Sequence, residues 1–414
     1  MVRTVFVAFI YSLLAYMEAQ AQNVPVLRID PANAYGGTYS EYFDDIEYIP
    51  LETTRESLFG FIVQLLITDN SFVITDFDTQ ATYFFLKNGK FVKKIHEKGN
   101  KYPNISYDAV GKRITISVFN EITRKNELRS YTTSGEEISN SHTKIATAGN
   151  SKLVNLGAGY YAASQTCYYQ KGASPADTTI YLLKIYKGDS LYQKFLPYNQ
   201  KEKCGICVFG NGVAELKNSP ENGVIYVSTP LEHNIYRVTK DSAKNIFRLV
   251  FPYNLTFPSE ILKSKDPAFI DSVRNTKWQN ETTITSISNI FLNGQLLYFK
   301  TNTSQASFAT GPSDMKPINF IYNLGTNKLV SVERITPDSA NYYLPFYSWG
   351  IGVTGLEYSE NSFYTHVSSL ELFTATAATQ KKNVVYPLYL QTYFKSNNRK
   401  SNPVIVRFKL KKMQ

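Results

Sequence analysis

Ile62-Val63-Gln64-Leu65-Leu66-Ile67-Thr68, Ser71-Phe72-Val73-Ile74-Thr75-Asp76, Ala81-Thr82-Tyr83-Phe84-Phe85-Leu86 and Phe91-Val92-Lys93-Lys94-Ile95 follow one another with only short polar breaks. Each run is rich in β-branched and aromatic residues and too short for a helix, which predicts four consecutive strands. The breaks are Asp69-Asn70, Asp78-Thr79-Gln80 and Lys87-Asn88-Gly89-Lys90. Asn-Gly supplies the left-handed backbone that a tight hairpin requires. The segment therefore reads as a four-stranded meander.

Similar units recur over Asn104–Ser141, Ser151–Leu196, Gly212–Phe251, Thr283–Ile335 and from Gly352 onward, with turn signals at Ser134-Gly135, Lys187-Gly188-Asp189, Asn222-Gly223 and Asn293-Gly294. A lone meander buries neither face, so the units must pack on one another, and radial packing leaves few exposed edges. We expect an all-β six-bladed β-propeller with small helical insertions, formed by residues 22–414 as a single domain; a two-domain β-sandwich chain is the structural alternative. One insertion spans about Tyr253–Thr282, where Asp266 and Pro267 read as the cap and first residue of a helix. The other lies between Ser369 and Asn402. An open ring would expose two sheet edges, so Phe43–Ile49 is expected to share a blade with Val404–Leu410.

Composition agrees. The 414 residues are 43% hydrophobic and 14% aromatic, with 22 Gly and 17 Pro, which excludes disordered and collagenous chains. Arg3, the apolar stretch Val5–Met17 and the small residues of Ala19-Gln20-Ala21 form a secretory signal, so residues 1–21 are expected to be removed. Export to the periplasm, cell surface or medium follows, without a lipid anchor on an N-terminal Cys and without a transmembrane segment once the signal is gone.

The chain carries 44 Lys+Arg against 34 Asp+Glu, a net charge of +10, and has no acidic residue after Glu371. In the last strand Val404, Val406, Phe408 and Leu410 alternate with Ile405, Arg407, Lys409 and Lys411, which reads as one buried and one largely charged, solvated face. No nucleic-acid partner is expected.

Several stretches resemble the exported six-bladed β-propeller proteins common in Bacteroides-type bacteria. They are Tyr48-Ile49-Pro50-Leu51-Glu52-Thr53-Thr54, Phe72-Val73-Ile74-Thr75-Asp76, Lys87-Asn88-Gly89-Lys90-Phe91, Pro230-Leu231-Glu232-His233-Asn234-Ile235-Tyr236-Arg237-Val238 and Asn402-Pro403-Val404-Ile405. The resemblance implies the fold. The chain departs from that pattern at Gly99-Asn100-Lys101-Tyr102-Pro103, where the family often has a Gly-Pro-Gly-Glu-like loop.

Catalytic signatures are missing from the sequence. His96, His142, His233 and His366 lack metal-site spacing, and there is no nucleophile elbow or phosphate-binding glycine loop. No catalytic residue, metal or cofactor is assigned. Cys204 and Cys207 have redox-motif spacing without the βαβ setting, so a structural disulfide or buried thiols are expected, with Cys167 as another pairing partner. Loop aromatics can stack on sugar rings. Trp349 and Tyr347 are the ligand-binding candidates and Asp76 and Asp78 the weaker ones, against the alternative that the aromatics pack between sheets and the aspartates form turns. A ligand-binding or protein-interaction module in glycan or nutrient handling at the cell envelope leads, with a glycan or an envelope protein as partner. A lactonase, lyase or glycosidase on the same scaffold, or a structural assembly part, is the alternative.

The signal reading makes a direct prediction. Intact mass of the exported protein should place the N-terminus near Gln22 without added lipid; a retained Met1 or a diacylglycerol mass contradicts it.

Overall fold

A computed structural model describes residues 24–76, 78–96, 104–120, 125–138, 143–145, 153–164, 179–199, 216–219, 221–229, 231–262, 264, 266–278, 283–303, 318–348 and 356–411. Three strands come first: β1 (Val26–Arg28), β2 (Tyr35–Thr38) and, after the single-turn helix α1 (Tyr39–Tyr42), β3 (Phe43–Pro50). Blade 1 holds β4 (Ile62–Ile67), β5 (Ser71–Asp76), β6 (Ala81–Leu86) and β7 (Phe91–His96). Blade 2 holds β8 (Asn104–Asp108), β9 (Arg113–Asn120), β10 (Lys125–Thr132) and β11 (Thr143–Ile145). Blade 3 follows with β12 (Leu153–Gly157), β13 (Tyr160–Ser164), β14 (Thr179–Lys187) and β15 (Ser190–Asn199). Blade 4 has β16 (Lys217–Asn218), β17 (Ile225–Ser228), β18 (Asn234–Val238) and β19 (Ala243–Val250).

A 3-10 turn (Ser259–Leu262) and helix α2 (Pro267–Trp278) precede blade 5, and the Asp266 carboxylate accepts the Ala268 N–H at 3.0 Å, capping α2. Blade 5 comprises β20 (Ile284–Asn293), β21 (Leu296–Thr303), β22 (Ile318–Asn323) and β23 (Leu329–Thr336). Blade 6 takes β24 (Glu357–Ser359), β25 (Ser362–Val367) and, beyond helices α3 (Ser369–Ala378) and α4 (Leu388–Ser396), β26 (Val404–Leu410). Its fourth strand is β3, which pairs antiparallel with β26 from Val404↔Pro50 to Leu410↔Phe43. The expected closure is therefore what the register shows, and the protein is a six-bladed β-propeller.

Hydrophobic clusters connect every neighbouring pair of blades. Val73 and Phe84 meet Ile105 and Ile116 between blades 1 and 2; Leu128 meets Leu153 and Tyr186 between blades 2 and 3; Ile185 meets Ile225 and Val227 between blades 3 and 4. Tyr226 and Ile235 join Ile287 and Ile290 between blades 4 and 5, and Phe291 and Tyr298 pack on Phe363 between blades 5 and 6. The circle completes where Tyr364 and Ile405 meet Phe72 and Ile74. A middle strand is thus covered on both faces, which explains why every residue of β5 and of β25 is buried while the outer strand β7 alternates.

Asn402 fastens the closing blade. Fully buried, it donates from Nδ2 to the carbonyls of Glu52 (2.8 Å) and Ser57 (2.9 Å) and accepts the Phe59 N–H at Oδ1 (3.1 Å). Its own N–H goes to Thr53 Oγ1 at 2.9 Å, and its carbonyl accepts from Ser369 Oγ at 2.6 Å. Gly89 serves the same seam: with φ +84° its turn lies so close to β3 that a Cβ would stand 1.9 Å from the Pro50 oxygen, and its carbonyl accepts the Glu52 N–H.

One feature had no counterpart in the sequence reading. The leading strands β1 and β2 add in parallel to β19 and β23, as fifth strands of blades 4 and 5. The segment before β3 thus runs along the outer edges of two further blades.

Asn402→Ala should lower stability by about 3 kcal/mol, because it strands the buried Ser57 carbonyl and Phe59 N–H and removes the bond to the Glu52 carbonyl. Truncation before Asn402 should abolish cooperative unfolding of the whole ring. Urea melts check both, and an unchanged midpoint for Asn402→Ala contradicts the latch.

Candidate functional site

The first strands of all six blades, or the turns adjoining them, surround a cavity of about 360 Å³ on the ring axis. Five of these strands place polar residues in the lining, Gln64 in β4, Asn104 and Ser106 in β8, Asn155 in β12, Ser288 and Asn289 in β20, and Glu357 in β24, and blade 4 adds Ser219, Glu221 and Asn222 from the turn after β16. Side-chain amides bind the wall together. Gln64 Nε2 donates to Asn104 Oδ1 (2.9 Å), Gln64 Oε1 accepts the Ile105 N–H (3.0 Å), and Asn104 Nδ2 donates to the Leu153 carbonyl (3.1 Å), joining blades 1, 2 and 3. Ser228 Oγ donates to the Ile287 carbonyl between blades 4 and 5.

The turns after the first strands bring carboxylates to one mouth, where each has a partner. Asp69 pairs with Lys112 (3.2 Å), Glu360 with Lys87 (3.2 Å) and Glu221 with Arg237, while Asp108 accepts the N–H groups of Val110 and Gly111. Among the described residues no group of three or more His, Cys, Asp or Glu is placed to hold a metal ion. The channel offers amides, hydroxyls, carboxylates and the lining tyrosines Tyr107 and Tyr358. Such a lining donates and accepts hydrogen bonds in a volume suited to a small molecule or one segment of a chain.

Of the residues singled out from sequence, Asp76, Asp78 and Tyr347 do not line this cavity. Asp76, at the end of β5, is 1% exposed; its Oδ1 accepts from the N–H groups of Gly60 and Phe61, and its Oδ2 from Thr79 N and Oγ1. These four bonds set the chain's approach to β4. Asp78 stands over Gly60, where a Cβ would fall 2.1 Å from Asp78 Oδ2. Trp349, Cys167, Cys204 and Cys207 lie outside the described residues.

Tyr347 is 8% exposed and its hydroxyl accepts from Asn319 Nδ2 at 2.6 Å. It belongs to a relay that reaches the channel wall. Asn289 Nδ2 donates to Tyr298 OH (3.2 Å), Tyr298 OH to Asn319 Oδ1, and Asn319 N and Nδ2 both donate to Glu333 Oε1 (2.8 and 2.7 Å). Ser331 Oγ donates to Glu333 Oε2 at 3.2 Å. Asn289 holds the left-handed φ of +52° at a bulge in β20, which lets a wall residue reach this relay. The channel-lining set carries no motif; its one local signal is the polar residues, such as Gln64 and Asn155, set among apolar neighbours in β4 and β12.

Burial pushes the Glu333 carboxyl up to about 7 from its ordinary 4.5 and, with the neighbouring Glu333 charge, raises the Tyr347 hydroxyl above its usual range. Between pH 4.5 and 7 the native chain retains a proton that the unfolded chain has lost, so this group's contribution to stability falls as pH rises through that window. His233 and His366, lowered by burial to about 4, act oppositely, destabilising the fold as pH drops below 6.5. The readout is therefore a difference. Glu333→Gln should be more stable than the wild type by on the order of 2 kcal/mol above pH 7 and lose that advantage towards pH 5. Parallel pH profiles for the two proteins in urea melts contradict the assignment.

Comparison with curated proteins returns no match. Among solved structures, a protein from Bacteroides fragilis described as exported aligns with a TM-score of 0.64 at 12% identity, over 94% of this chain and 100% of its own. A protein of unknown function from Bacteroides thetaiotaomicron aligns with a TM-score of 0.45 at 7% identity, over 92% of this chain and 75% of its own. At such identities likeness speaks for the fold alone. Residues 26–409 match a family described as a domain of unknown function, DUF4934, and with almost all of the propeller inside that match the chain belongs to this family.

Proposed function

We propose that the protein is an exported ligand-binding propeller whose axial channel takes a neutral, hydroxyl-rich ligand such as a glycan segment. The observation that carries this reading is the channel lining, in which blade after blade contributes polar side chains to one cavity of about 360 Å³. Planar amides and carboxylates match pairs of vicinal hydroxyls, accepting from one and donating to or accepting from the other. Tyr107 and Tyr358 add amphipathic rings to the same lining. Export is supported by the signal pattern over residues 1–21, and the Bacteroides fragilis protein of similar fold is itself described as exported. The periplasm or the cell surface is then where such a ligand would be met. Trp349 remains a candidate ligand contact in this reading by its residue type alone.

Titration of the mature protein with a panel of neutral oligosaccharides, preceded by a glycan array, tests the proposal. Binding should weaken at least about tenfold in Ser106→Phe, which fills the channel, and in Glu357→Gln, which keeps shape but removes charge. Binding that both folded variants retain at wild-type strength, or no binding across the panel, overturns it.

A further inference from the structure

The basic residues of the C-terminal region divide into two groups. Those on β26 and directly after it are neutralised by ring closure, with Arg407 on Glu47 (2.9 Å), Lys409 on Asp45 (2.9 Å) and Lys411 on Asp44 (3.2 Å). Those on the insertion between β25 and β26 are not. Lys381, Lys382, Lys395, Arg399 and Lys400 are all exposed, and none has a carboxylate within ion-pair distance among the described residues. Lys382 lies over the Tyr343 ring at 3.8 Å. The nearest acid in sequence, Glu371, is engaged by Ser348 and Ser368.

Beside these charges the same insertion exposes apolar side chains. Val385 is 83% exposed, Leu388 77%, Tyr389 41% and Leu370 52%. The platform beneath them is packed: Leu372, Leu390 and Tyr393 are buried, and Phe373, Tyr386, Tyr393 and Phe394 form a connected set of ring contacts. Val385 and Leu388 are thus held outward by a folded element, while the half-exposed Tyr389 turns its hydroxyl to the Tyr48 N–H at 3.5 Å. Neither the axial channel nor the slot between blades 5 and 6 includes them.

We infer that this insertion is a docking surface for an anionic lipid bilayer. The projecting aliphatic side chains of Val385 and Leu388, on an insertion whose charges are all positive after Glu371, suit partial insertion at the headgroup boundary, where the lysines meet lipid phosphates. A peptide partner would instead call for a groove to enclose its own apolar side chains. The insertion connects β25 to β26 and touches the Asp338–Ser348 segment ahead of blade 6 through Tyr342–Tyr386 and Ser348–Glu371. It therefore lies at the ring end opposite the short turns that follow the first strands, and docking would leave that carboxylate-lined mouth facing away from the bilayer.

Co-sedimentation of the full mature protein with vesicles of phosphatidylcholine alone, or of equimolar phosphatidylcholine and phosphatidylglycerol, tests this. Partition should be at least about tenfold stronger on the anionic vesicles and should fall with added salt. Val385→Asp combined with Leu388→Asp should remove most of it, and so should Lys381→Glu with Lys395→Glu and Lys400→Glu. The lysine variant changes only exposed charges, so it keeps the test valid should the apolar variant misfold. Equal partition on both vesicle types, wild-type partition by the lysine variant, or no partition overturns the inference. Competition by soluble polyglutamate as effective as that by anionic vesicles would assign the surface to an acidic polypeptide and overturn it equally.

Discussion

Everything in this molecule depends on the pairing of β3 with β26. Each blade has two apolar faces, and a face is covered only if the next blade is in place. In an open arc the terminal blades would expose the apolar faces now filled by Phe72, Ile74, Tyr364 and Ile405. Joining the two ends of the chain in one sheet removes that exposure. Three ion pairs across the β3–β26 seam are solvent-accessible and contribute little each, typically under about 1 kcal/mol. The buried amide of Asn402 does more, because two of its partners, the Ser57 carbonyl and the Phe59 N–H, are buried main-chain groups with no water to substitute for it.

The axial channel is a consequence of closure. Six first strands converge, and the polar side chains they set among apolar ones keep the axis from filling as an apolar core would. The wall is polar yet internally bonded, through Gln64 to Asn104 and through Asn289 to Tyr298. Such a lining is rigid before any ligand arrives, which limits the ordering cost of binding. The relay from Asn289 to Glu333 and Tyr347 extends this polar structure from the axis outward through blade 5. A carboxyl held near neutrality inside it is destabilising at higher pH, a cost that a network of satisfied donors reduces without removing.

Asp76 illustrates how chemistry-bearing residues serve architecture. A carboxylate with four donors of its own is already saturated and fixes the turn into β4. The mouth carboxylates Asp69, Glu221 and Glu360 are likewise matched by Lys112, Arg237 and Lys87. Lys381, Lys395 and Lys400 on the helical insertion have no such carboxylate among the described residues, and they accompany exposed apolar side chains that the propeller core does not use.

Strand identity, the tight Asn88-Gly89 turn, the six repeating units, the capped helix after Asp266 and the closing partnership of Phe43–Ile49 with Val404–Leu410 were all legible in the sequence. Each is written locally: alternation reports a half-covered face, an Asn-Gly pair reports a left-handed turn, and an edge strand at each end reports an unfinished sheet. Tertiary structure alone decided that Gln64, Asn104, Asn155 and Glu357 share one cavity, that β1 and β2 lie on blades 4 and 5, and that Arg407, Lys409 and Lys411 are paired while Lys381, Lys395 and Lys400 are not. Those relations join positions scores to hundreds of residues apart, and a strand of three or four residues is too short to carry a periodic signal of what lies beside it. A channel has no local signature, because it is made by the convergence of strands that the chain visits one at a time around a ring.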